Sequence, residues 1–133
     1  MKMFIDELKK EVGSELQIAA DLMKSGSPQG YEYLRITLGH ALFFAPTDKV
    51  IFHLQHILGP MKQEVILAIA NFDKNAIIEI GMKVEIIGKA LIKDKEDDEI
   101  LDLTTDIGLL IEKTWRKVIQ NPSGALIKLS MPI

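Results

Sequence analysis

The chain of 133 residues has no cysteine and only two arginines, Arg35 and Arg116. Without cysteine there is no disulfide framework, no thiolate metal site and no cysteine nucleophile, and the compartment expected from that is a reducing, cytoplasmic one. Positive charge is not in excess: the formal net charge is −3. A basic nucleic-acid footprint is therefore not expected. Long apolar runs are missing too. The longest, Val65 to Ala70, spans residues 65–70, against the roughly 20 residues that cross a bilayer. The first ten residues include Asp6, Glu7, Lys9 and Lys10, charges that come too early for a secretory signal. A soluble protein is expected, with no membrane partner. Gly-rich phosphate loops, nucleophile elbows and hydrolase triads are also missing, and no cofactor is expected.

What is present is apolar residues at helical spacing. Hydrophobic residues make up 47% of the chain while its mean hydropathy is only +0.14, as for a single domain with a large core. Ile5, Leu8, Val12, Leu16, Ala19 and Met23 recur every three or four residues, which predicts a first helix over 1–24. Gly26 stops it, and residues 25–30 read as a loop. A second helix over 31–44 is apolar nearly all round, as in a helix that is central or covered by a partner. Pro46 closes it, and Thr47 or Asp48 can cap a third helix over 48–58. Gly59-Pro60 marks a break with Pro60 opening a fourth helix over 60–72. Asn71 to Asn75 favours a break before a fifth helix over 74–93, with Asp73 as its cap and one kinked helix as the alternative. A sixth helix over 97–120 carries acids at its start and Lys113, Arg116 and Lys117 at its end, matching the helix dipole. The tail 125–133 is apolar enough to dock. The expected fold is an all-α, single-domain bundle of five to six mostly antiparallel helices, with the second helix central, the fifth and sixth a long pair, and the tail packed on it.

On the fifth helix, Gly81 and Gly88 stand at one edge of the core stripe, where another helix can approach closely. Ile78, Met82 and Ile86 form an apolar line within its charged half. That line is a candidate interface, and a homodimer or higher homo-oligomer using part of the fifth helix, the second helix or the tail is expected, with a protein partner as a further option.

Residues 31–58 hold all three histidines, one of the two arginines and five of the eight aromatic residues. His53 and His56 are i,i+3 and can present two imidazoles on one face, so a metal-binding bundle is one expectation. A third ligand does not identify itself. Glu32 lies three residues before Arg35 and is its expected partner. The segment Arg35-Ile36-Thr37-Leu38-Gly39-His40 resembles the Arg-x4–6-His motif of HEPN-domain ribonucleases, small helical proteins that dimerise to bring their motif residues together. The resemblance covers six residues and the fold class, and Ile36 stands where that family usually has a polar residue. It implies a metal-independent ribonuclease in which Arg35 and His40 meet across a two-fold axis. Five helical steps separate them by about 140°, so one chain does not bring them together. The primary expectation is non-catalytic: a helical protein working by self-association or macromolecular binding.

Overall fold

A computed structural model describes residues 2–93 and 97–120, which form six helices and no strand. They are α1 (Lys2–Lys24), α2 (Gln29–Phe44), α3 (Lys49–Leu58), α4 (Gln63–Phe72), α5 (Lys74–Ile92) and α6 (Asp97–Gln120). The all-α bundle is as expected. The tail 125–133, and its docking, lies outside the described residues.

Local chemistry sets most helix ends. α1 stops where Gly26 takes φ +93°, a left-handed conformation that glycine adopts without Cβ strain. The Gly26 N–H then donates to the Met23 carbonyl and the Ser27 N–H to the Leu22 carbonyl, both at 2.9 Å, the paired bonds of a Schellman cap. The Asp48 carboxylate accepts from the Ile51 N–H at 3.0 Å and so caps α3. Asp73 accepts from the Asn75 N–H at 3.1 Å and opens α5. The break between α4 and α5 is therefore real, as Asn71 to Asn75 suggested.

Two boundaries differ from expectation. α2 begins at Gln29, because Pro28 already holds helical φ and ψ of −69° and −14°, a geometry its ring favours. α4 begins at Gln63, not at Pro60. The preceding residues are anchored by α2: the Tyr31 hydroxyl donates to the Leu58 carbonyl at 2.8 Å, and Arg35 Nε donates to the Gly59 carbonyl at 2.9 Å. The Leu58 and Gly59 carbonyls are thus satisfied; Gly59 keeps helical φ and ψ of −67° and −39°, and the chain is extended at Lys62, with ψ 148°, before it turns helical.

The arrangement in space corrects a second expectation. α5 does pack against α6, but the most extensive pairing is α1 with α5. Gly13 and Gly88 make it possible. A Cβ on Gly88 would lie 2.8 Å from the Gly13 carbonyl oxygen, and one on Gly13 would lie 2.6 Å from that of Gly88. Further along, Gly81 abuts Ala20, Met23 and Lys24, so the helices run antiparallel. The close approach expected at Gly81 and Gly88 is there, and α1 is what makes it. Lys24 and Glu85 close the seam with an ion pair. Their hydrogen bond holds the Glu85 carboxyl below its ordinary range and the Lys24 ammonium above its own.

Contacts run round the bundle from α1 to α2, α3, α6, α5 and back to α1, with α4 touching α2, α5 and α6. The core between them is aliphatic: Leu16, Leu34, Leu38, Ile51, Leu54, Ile69, Ile77, Ile80 and Ile107 are buried. α2 is not central. One flank, with Tyr31, Leu34, Leu38 and Ala41, enters the core, and the opposite flank is left open.

Candidate functional site: the open face of α2 and its groove

Residues three, four and seven apart on a helix share a face. On the outer side of α2 these are Ile36, Gly39, His40 and Phe43, with Phe44 beside them. Ile36 is 53% exposed, Phe43 80% and Phe44 59%. The rings of Phe43 and Phe44 meet edge to face, 5.3 Å between centroids at 88°. Single exposed apolar side chains are ordinary; Phe43 and Phe44 with Ile36 two turns away on the same face expose on the order of 400 Å² of apolar surface, the scale of the largest patch on a typical monomer, which is often functional.

Along the edge of this face runs a groove between α1 and α2, about 370 Å³ in volume. Leu8 and Val12 of α1 and Ile36, Ala41 and Phe44 of α2 give it apolar walls, while Glu11, Glu15, Tyr33, Thr37 and His40 supply its polar groups. The Tyr33 hydroxyl donates to the Glu15 carboxylate across the groove. That hydrogen bond raises the phenol above its ordinary pKa, helped by partial desolvation and by the Glu15 charge. Among the described residues His40 enters no hydrogen bond or ion pair. No relay of nucleophile, base and orienting acid is assembled there. What the arrangement offers is contact area: an apolar strip with acids along one rim.

The structure separates the other candidates. Arg35 lies on the flank of α2 turned toward α3, where it holds the Gly59 carbonyl and pairs with Glu32 at 2.7 Å. The Glu32 partnership is as the spacing suggested. His40 points instead into the α1–α2 groove, so Arg35 and His40 diverge within one chain. On α3, His56 stacks on Phe52, with ring centroids 5.7 Å apart and planes 7° from parallel. His53 is half-buried and its Nε2 is buried without a hydrogen-bond partner among the described residues. No group of three or more His, Asp or Glu able to hold a metal ion occurs among the described residues. On α5, Ile78 is half-buried, Met82 is 54% exposed and Ile86 47%, a weaker strip than that of α2. No described helix is long and apolar enough to cross a membrane.

Sequence reasoning located α2 as a helix wanting cover but did not identify its open side. The signal was there in the spacing of Ile36, Gly39 and Phe43, diluted by the apolar residues on every other face. Comparison with protein-family models, with curated proteins and with solved structures finds no match to this chain.

Proposed function

We propose that this protein works by association through the open face of α2, and in the first place with a second copy of itself. The observation that carries this is the exposure of Ile36, Phe43 and Phe44 together on one helix face. Burying such a strip contributes about 25 cal/mol for each Å² removed from water, so some 400 Å² per partner is a substantial driving force before the costs of association. The interface expected along Ile78, Met82 and Ile86 has less exposed apolar surface and flanks the Lys24–Glu85 pair, so α2 replaces it as the first choice.

The ribonuclease expectation requires Arg35 and His40 to meet across a two-fold axis; within one chain Arg35 is bonded to Gly59 and Glu32, on the flank of α2 away from His40. The metal expectation requires a third ligand near His53 and His56, and no group of three or more side chains able to hold a metal ion occurs among the described residues. Neither is favoured by a specific observation. Size-exclusion chromatography with light scattering tests the association reading. At tens of micromolar the expected mass is twice the 14.9 kDa of one chain; the mass of a single chain throughout would remove the reading.

A further inference from the structure

We propose that two copies of the chain pair about a two-fold axis with their α2 helices crossing at Gly39. This deepens the self-association reading and rests on it.

Glycine usage within the chain points to that residue. Glycine in a helix interior is less favourable than alanine by about 1 kcal/mol, so it calls for a compensating reason. Five helical glycines have one: at Gly13, Gly30, Gly81, Gly88 and Gly108 an added Cβ would come within 3 Å of a neighbouring helix, at 2.6, 2.5, 2.9, 2.8 and 2.9 Å. Gly39 alone among the interior helical glycines meets nothing within 4 Å. It lies in mid-helix, exposed, with Ile36 and Phe43 on either side along the same face. In this protein a helical glycine marks where another helix comes close, and at Gly39 that helix is not supplied by the described chain.

The composition of the face indicates a second copy. From Ile36 to Thr47 there is no Asp, Glu, Lys or Arg. An isologous interface sets each surface against itself, so fixed charge at its centre would face its own kind. An uncharged centre with acids only at the rim, Glu11 and Glu15 across the groove, avoids that. An acidic partner would find no Lys or Arg between Ile36 and Thr47 to pair with. The area also suits a dimer: the three exposed side chains supply about half of the roughly 800 Å² that each partner buries in a standard interface, and the adjoining walls of the groove extend it. A glycine at the crossing lets the helix axes approach to the low end of the usual 8–10 Å, so that Ile36 and Phe43 of each copy can close over the gap.

The absence of native cysteine permits a direct test. Gly39→Cys gives a single thiol, and a disulfide needs Cα atoms no more than about 7 Å apart. Mild oxidation of Gly39→Cys is expected to give a covalent dimer, and oxidation of Met82→Cys a much smaller yield. In parallel, Gly39→Leu holds the helices apart and is expected to weaken dimerisation at least tenfold by sedimentation equilibrium, with circular dichroism and melting unimpaired at dilutions where the chain is monomeric. If the wild type is dimeric but Gly39→Leu associates as well as wild type, or Met82→Cys cross-links more fully than Gly39→Cys, the crossing at Gly39 is overturned while self-association stands. If the wild type is monomeric at tens of micromolar, both fail.

Discussion

The tight crossing of α1 and α5 makes a quantitative demand on Gly88. In Gly88→Ala the new methyl would lie 2.8 Å from the Gly13 carbonyl oxygen and 3.1 Å from Gln17 Cγ. The Gln17 side chain can move aside. The carbonyl belongs to the backbone of α1, and an ordinary carbon–oxygen contact is about 3.3 Å or more, so α1 must retreat by about 0.5 Å. A gap of that size forfeits a quarter or more of the attraction between the atoms it separates, and overpacking of this kind costs about 1–3 kcal/mol. Against it stands the better helix propensity of alanine, about 1 kcal/mol. Gly39→Ala supplies the control, since it carries the propensity gain with nothing within 4 Å to clash. For a chain of 133 residues, 1 kcal/mol corresponds to roughly 3–4 °C in Tm. Gly88→Ala is therefore expected to melt about 4–11 °C below Gly39→Ala. Both should be compared by thermal denaturation at low protein concentration, so that association adds nothing to stability. Equal melting temperatures for the two variants would refute the close crossing.

Other consequences follow from single side chains. Tyr31→Phe leaves the Leu58 carbonyl without its 2.8 Å donor and is expected to cost about 1–2 kcal/mol by urea unfolding near neutral pH. Burial pushes the Tyr31 hydroxyl far above its ordinary pKa, only partly offset by the Arg35 charge. The unfolded chain releases that proton above about pH 10 while the folded chain keeps it. Wild-type stability should therefore fall with rising pH there, narrowing its advantage over Tyr31→Phe; a constant gap would contradict this. The lowered pKa of Glu85 beside Lys24 gives a contribution present above the ordinary glutamate pKa and lost as pH falls through the lowered value. Glu85→Gln should thus narrow its difference from wild type in melts taken from pH 7 down to 3. Asp48→Ala removes the α3 cap and the 3.3 Å pair with Lys9; a loss of about 1 kcal/mol is expected by urea unfolding.

Where residues act on their near neighbours, the sequence was legible. Gly26 ended α1 and Asp48 and Asp73 capped α3 and α5 because those choices are made within one turn. The start of α4 was not legible, because Gly59-Pro60 has the local form of a stop and restart, while Tyr31 and Arg35, more than twenty residues earlier in the chain, decide it. The pairing of α1 with α5 likewise depends on Gly13 meeting Gly88, and nothing local to either glycine names its partner. The candidate histidines scattered for the same reason. Spacing put His53 and His56 on one helix but could not show His56 stacked on Phe52. The open face of α2 was hidden by an excess of apolar residues: periodicity finds one apolar side against a polar one, and α2 has no clear polar side.

Association through α2 is tested most directly by sedimentation equilibrium on wild type, Phe43→Lys and Met82→Lys. Phe43 is 80% exposed and Met82 54%, so a lysine at either position is tolerated by the folded chain. Wild type and Met82→Lys are predicted to be dimers at tens of micromolar, and Phe43→Lys, with a charge set in the centre of the contact, to be a monomer. A Phe43→Lys protein that dimerises as well as wild type would contradict the assignment of α2 as the associating face.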